Sequence, residues 1–440
     1  MSNRPIRRLR TRLKQGQRSN PEEVESAKVG NHVKTRPLVL WAACIVLLGS
    51  TAWVPAQAPA TEVRALWVQR ASLTSPGAIV AMVESARTNG FNTLLVQVRG
   101  RGDAYFNSRL EPRASTLSGQ PPSFDPLGAV IAEARRAGLR VHAWVNVNLI
   151  AGVGELPLSR NHLVYAHPEW LMVPRELAVE MAGIDQRSPE YLGRLTRYAR
   201  AHAQQIEGLY SSPLQSASVN HTVAVISDLA GRYALDGIHL DYFRFPSEDF
   251  DYSRQALAQF RADLLPQLSV DERRQYAARA ERQPLFYTEM FPQRWADFRR
   301  SRLTALLMRI RTAVKSRRRD ITVSAAVVPD AAAAAARSLQ DWQTWVENGL
   351  LDVVCPMAYT ADSGIFAAQI ASARALAGPR PVWAGIGAYR LSPSETVENI
   401  RTARRLGAQG VILFSYDNLS ALSDGTDSLN FLSDVARAAF

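Results

Sequence analysis

Residues 351–387 read LDVVCPMAYTADSGIFAAQIASARALAGPRPVWAGIG. A short apolar run at 353–358 is followed by Phe, Ile, Ala and Leu at helical spacing over 366–376. A glycine stop follows at Gly378, then a second apolar run at 381–386. Neither run alternates polar with apolar residues, as expected of strands covered on both faces. Strand, crossover helix and parallel strand within about 30 residues make one βαβ step.

The same step repeats in both directions. Strand-like runs occur at 410–414 downstream, and at 62–68, 92–98, 140–147, 237–241 and 321–328 upstream. Helical patterns lie between them, at 76–88, 126–137, 219–234, 295–317, 339–348 and 393–406, and 428–438 closes the chain. Eight such units predict an α/β fold, a (β/α)8 TIM barrel. A doubly wound open sheet is the alternative, but no GxGxxG opens a helix after the first strand. The extra length falls after the third strand, at 148–218, and after the fourth, at 247–294. In a barrel both are loops on the face that carries active sites. The six alanines at 331–336 read as a helix start or a neutral linker.

The 440 residues carry 52 Lys and Arg against 40 Asp and Glu, a formal net charge of +12. With 47% hydrophobic and 21% charged residues the chain is of folding composition. Its charge is uneven: residues 1–37 hold ten basic and three acidic side chains, a net +7. Residues 38–54, LVLWAACIVLLGSTAWV, are an apolar run of 17 that leads into Ala56-Gln57-Ala58. A basic stretch, an apolar stretch and a small-x-small site make an export signal. The run also approaches bilayer-spanning length, so anchoring through residues 38–54 stays open. Either way the basic side stays cytoplasmic and the rest faces outward, in the periplasm or envelope. The domains expected are 1–58, tail plus signal or anchor, and 59–440, one barrel. The exported part carries only +5, too little for a nucleic-acid footprint. Of the two cysteines, Cys44 lies in the apolar run and Cys355 in a strand, so a cleaved chain forms no internal disulfide.

In a barrel the chemistry gathers at the carboxyl ends of strands. The fourth strand ends LDGIHLDYFRFP (235–246), where His239 and Asp241 share the inward face. An inward carboxylate at an apolar barrel mouth is costly unless used or paired, and Arg244 stands three residues on. The second strand runs into Arg99-Gly100-Arg101-Gly102-Asp103, so Arg99 and Asp103 either bind substrate or pair with each other. The third supplies His142, Trp144, Asn146 and Asn148 on one face, with Trp144 either lining the cleft or filling the core. Tyr359 follows the sixth strand, Trp383 lies in the seventh and Tyr416 follows the eighth. No metal-ligand spacing, HExxH or GxSxG occurs, and no metal or cofactor is expected. Carboxylates among Trp, Tyr, Asn and Arg suit glycan chemistry.

These stretches resemble glycosyl-hydrolase-like family 10. The matching pieces are EVRALWV (62–68), VQVRGRGDAYFNS (96–108), FDPLGAVIAEARRAGLRVHAWVN (124–146), HPEWL (167–171), LDGIHLDYFRFP (235–246), WADFRR (295–300), QDWQTWVENGLLDVVCPMAY (340–359) and GVILFSYDNL (410–419). The resemblance implies a TIM-barrel hydrolase, exported or envelope-associated, that acts on polysaccharide such as peptidoglycan glycan strands. It carries Asp241 and Arg244 over as site residues. Two departures stand out: Tyr242 occupies the place where many relatives have a second Asp, and 209–218 matches the family poorly. Chitinase-type barrels show a similar strand-four pattern, but here His239 and Phe243 replace its middle Asp and its acid Glu. The reading is therefore catalysis by Asp241 with a second carboxylate from Asp103, Asp330, Asp362 or Asp417, Asp103 preferred. Arg99, Trp144, Asn146, His239, Tyr242, Arg244, Tyr359, Trp383 and Tyr416 would bind the glycan. A non-catalytic glycan-binding barrel of the envelope is the alternative.

Overall fold

The computed structural model describes residues 62–154, 156–421 and 431–440. The expected export segment and the boundary at residue 58 lie outside the described residues. Ten strands follow in chain order: β1 (Val63–Val68), β2 (Thr93–Arg99), β3 (Arg140–Asn146), β4 (Leu149–Gly152), β5 (Gly208–Tyr210), β6 (Gly237–Asp241), β7 (Thr322–Val327), β8 (Val353–Ala358), β9 (Trp383–Ile386) and β10 (Gly410–Phe414). Eight of them close a parallel barrel in the order β1-β2-β3-β6-β7-β8-β9-β10. Closure pairs Ala65 with Ile412 between β1 and β10. All eight strands lie where the repeating step places them.

The strands are apolar on both faces because both are covered. One core lies between the barrel wall and its helices, with Leu66, Leu94, Val141, Ile238 and Val411 among the strand residues. The other fills the lumen: Val63, Ala65, Trp67, Leu95, Trp144, Val353, Cys355, Trp383 and Ile412. Each fully buried large side chain contributes about 1.5–3 kcal/mol. The lumen is tight where Trp67 crosses it. A Cβ on Gly385 would stand 2.8 Å from the Trp67 ring and 2.7 Å from the Pro356 carbonyl.

Asp330 and Asp362, both expected as candidate carboxylates, have local work instead. Asp330 accepts from Ala333 N at 2.9 Å and caps the helix Ala331–Arg337, which is the six-alanine run. Asp362 accepts from Ile365 N at 2.8 Å and caps Ser363–Ala377. Both are exposed.

The two insertions are structured. The first contains an antiparallel pair, β4 with β5, and the helix Pro189–Ala201. The second contains the helices Arg254–Leu264, Val270–Arg282 and Phe286–Met290. Buried Arg299 ties the second insertion to the long helix Pro292–Arg317, donating to the carbonyls of Glu248 and Phe250 with its guanidinium over Trp295.

Candidate active site

The carboxyl ends of the barrel strands frame a cleft of about 850 Å³. Trp67, Trp144, Tyr359 and Phe414 line it together. The Phe414 ring packs against the other three at 5.3–6.3 Å between centroids. Such a surface offers faces for sugar rings, while Gln69, Gln97, Asn146 and Tyr359 offer polar groups to hydroxyls.

Asp241 ends β6 on this cleft, only 6% exposed. Its Oδ2 accepts from the Trp144 indole N–H at 3.1 Å, and its Oδ1 from the Tyr242 backbone N–H at 2.6 Å. The Arg244 guanidinium lies 3.6 Å from Oδ1. Burial pushes the Asp241 carboxyl up; the Arg244 charge and these N–H groups pull it partly back.

The turn after Asp241 decides who reaches the cleft. Tyr242 has a φ of +47°, in the left-handed region that a side chain with Cβ rarely takes. The chain bends there, and Tyr242 and Arg244 line the cleft while Phe243 and Phe245 are buried. Phe243 packs on Trp345 at 5.1 Å, so the position that departs from the chitinase-type acid points into the core. Arg244 stacks on Tyr242, its guanidinium carbon 4.3 Å from the ring centroid. Burial and the neighbouring Asp241 push the Tyr242 hydroxyl up to about 12.

A carboxylate absent from the expected set stands nearby. Glu207, immediately before β5, contacts Arg244 NH2 at 3.4 Å and accepts from the Tyr210 hydroxyl. One planar guanidinium touches both carboxylates, so their nearest oxygens lie within about 9 Å of each other. The Glu207 side chain is 41% exposed. It escapes sequence reading because it sits inside the first insertion, away from any barrel strand end.

The structure thus brings Asp241, Trp144, Asn146, Tyr242, Arg244 and Tyr359 to one cleft, and it separates the others. Arg99 is 1% exposed and locked to Glu111 at 2.6 Å, so it faces no substrate. Burial alone would raise Glu111, but Arg99 and His221 hold it down at about 2. A register shift between Gln97 and Arg99 breaks the alternation. Gln97 therefore reaches the cleft while Arg99 turns to the wall.

His239 is fully buried below the cleft. Its Nε2 accepts from Trp67 at 3.0 Å, so the neutral ring carries its proton on Nδ1, toward Ser324 Oγ at 3.0 Å. Burial pushes it down to about 3. Trp383 is in the lumen beside His142, 5.4 Å between centroids. Tyr416 opens the helix Tyr416–Ala421 and is not among the cleft-lining residues.

Asp103 lies outside the main cleft, in an adjoining hollow of about 230 Å³, and accepts from Arg101 N at 3.0 Å. Asp417 braces the loop after β1, accepting from Gln69 N at 2.6 Å and Ser72 Oγ at 2.7 Å. Sequence reading missed Trp67, Gln69 and Arg70. The signal was present in Trp67, next to last in β1, and in Gln69-Arg70 just past the strand end. Among the described residues, no three His, Cys, Asp or Glu side chains gather as a metal site.

A family model described as glycosyl hydrolase-like 10 matches residues 62–382. The glycosyl hydrolase DigH of Escherichia coli is 25% identical over 309 residues, 64% of this chain and 57% of that protein. The chain thus spans little more than half the length of these relatives. The glycosyl hydrolase YngK of Bacillus subtilis is 23% identical over 172 residues, 38% of this chain and 28% of that protein. Among solved structures, the PgaB (BpsB) glycoside hydrolase domain from Bordetella bronchiseptica superimposes with a TM-score of 0.59. Its identity is 16%, over 83% of this chain and 96% of that one. The beta-amylase catalytic domain from Paenibacillus polymyxa gives 0.57 at 12% identity, over 86% and 97%. At such identities the structural likeness speaks for the fold alone.

Proposed function

As the chain belongs to the glycosyl hydrolase-like 10 family, we propose that it is an exported glycoside hydrolase acting on polysaccharide, with bacterial cell-wall glycan strands as substrate. One observation carries the reading. A nearly buried carboxylate, Asp241, is held by an indole N–H, a backbone N–H and an arginine at the edge of an aromatic cleft. Glycoside hydrolysis usually takes two carboxyl groups flanking the bond, one acting as acid and one as nucleophile or base. Asp241 supplies one. Glu207, held on a second nitrogen of the same Arg244 guanidinium beside the cleft, supplies the second, and their separation of at most about 9 Å does not exceed the upper limit for such pairs.

The groups around them have separable roles. Trp144 and the Tyr242 N–H fix the Asp241 carboxyl, and Arg244 favours its ionised form. Tyr359 and Asn146 offer hydrogen bonds to hydroxyls, and Trp67 and Phe414 offer ring faces. The basic segment at 1–37 and the apolar run at 38–54 support export, cleaved or anchored.

A second reading rests on a different observation: Asp241 is the only acid among the cleft-lining residues. It makes the protein an envelope glycan-binding barrel without turnover. The full chain, incubated with peptide-free wall glycan strands, separates the two. Hydrolysis predicts new reducing ends and shorter strands by mass spectrometry. Retention of the glycan with no product over long incubation would favour the binding barrel.

A further inference from the structure

The cleft carries more positive charge than its carboxylate chemistry uses. Three arginines line it, Arg70, Arg101 and Arg244, against the single acid Asp241. Arg244 is accounted for, since it contacts both Asp241 and Glu207. Among the described residues, Arg70 and Arg101 take part in no ion pair. Arg70 donates to the Gln97 amide oxygen at 2.9 Å, and Arg101 to the Gly100 carbonyl at 3.3 Å. Neither partner neutralises a guanidinium, and unpaired charge in a half-buried setting is unfavourable unless something binds there.

The surroundings hold both groups in place. A Cβ on Gly100 would stand 2.6 Å from Arg70 NH1, and a Cβ on Gly152 would stand 3.3 Å from Arg101 Nε. Each guanidinium therefore lies against bare backbone that a larger residue would fill. The Arg101 backbone is fixed on two sides: its N–H donates to Asp103 and its carbonyl accepts from His162 Nε2 at 2.6 Å. Asp103 thus positions Arg101 through the main chain and favours its charge from a distance, without forming an ion pair with the guanidinium. Burial and the neighbouring Arg70 charge both push Arg101 below its ordinary range, a strain that an anion would relieve.

We propose that Arg70 and Arg101 form an anion subsite of the cleft that takes a carboxylate borne by a sugar of the bound glycan. This rests on the reading of the cleft as a glycan site. Paired guanidinium forks match a carboxylate in geometry as well as charge.

The test uses short peptide-free wall glycan fragments, whose alternate sugars carry an ether-linked carboxylate. The same fragments with that carboxylate reduced to an alcohol, and an oligouronate, form the other arms. Binding is read from cleft tryptophan fluorescence in the full chain carrying Asp241→Asn, so that no glycan is consumed. The carboxylated fragment is expected to bind at least about tenfold more tightly than the reduced one. Arg101→Gln and Arg70→Gln should each erase most of that preference, while Arg437→Gln, on the remote C-terminal helix, should keep it. A tight oligouronate would support the subsite and assign the carboxylate to a uronate; a weak one would assign it to the ether-linked group. Equal binding of carboxylated and reduced fragments would overturn the subsite and leave the glycan reading standing. No binding of any fragment would overturn the glycan reading itself.

Discussion

At Asp241 two opposing effects meet on one carboxyl. Burial favours the neutral acid, and the Arg244 charge favours the anion. Removing Arg244 removes the second effect. If Asp241 works ionised, the acidic limb of kcat/KM should lie above the ordinary aspartate range. In Arg244→Gln it should move to still higher pH, and pH–rate profiles check both. An unmoved limb would separate Arg244 from Asp241. His142 and His239 act on stability. Burial holds both at about 3 in the folded chain, against 6.5 for an ordinary imidazole. Between those values the unfolded chain binds more protons, so stability falls as pH drops below about 6.5. The thermal midpoint should decline from pH 7 to pH 5, and less steeply in His239→Asn, which removes one of the two groups. A midpoint flat over that window would contradict neutral buried histidines. Asp241, Trp144 and Tyr359 were legible because strand ends in a barrel face the mouth. Arg99 was misread because it stands at a strand end, where a register shift that composition does not announce turns its side chain to the wall. His239 and Trp383 were misread because an inward side chain can fill the lumen below the cleft as well as line it.

Among the elements, the pair β4 and β5 matters most, since it delivers Glu207. Its strands span only Leu149–Gly152 and Gly208–Tyr210, too short for a periodic signal, and 55 residues separate them. The close approach is visible only in space: a Cβ on Gly208 would stand 1.8 Å from the Ala151 carbonyl. Gly208→Ala should therefore push β5 and Glu207 away from Arg244. Activity should drop on the order of 10²-fold while the barrel keeps its circular dichroism. Unchanged kinetics would remove Glu207 from the catalytic pair. The loop after β2 is held by the sealed Arg99–Glu111 pair. Arg99→Ala leaves Glu111 charged and buried, and should cost about 3–5 kcal/mol in denaturant unfolding. A loss under about 1 kcal/mol would show that the loop does not depend on the pair.

Across the whole molecule, eight repeats of one βα step were enough to read a closed barrel, because most strands are apolar on both faces and helical patterns lie between them. Family membership over residues 62–382 agrees with that reading. Less legible was the cleft's charge. Residues 1–37 carry +7 of the +12 net charge, yet two arginines that form no ion pair among the described residues line the cleft. Net charge averages over such local excess. The central claim is that Asp241 is a catalytic carboxylate of a glycan-cleaving barrel. Its most direct test is the rate of reducing-end release from peptide-free wall glycan by the wild-type full chain and by Asp241→Asn, alongside glycan binding and melting temperature. The account predicts turnover by the wild type and a loss on the order of 10³-fold in Asp241→Asn, with binding and melting retained. Hydrolysis by Asp241→Asn at the wild-type rate would contradict it.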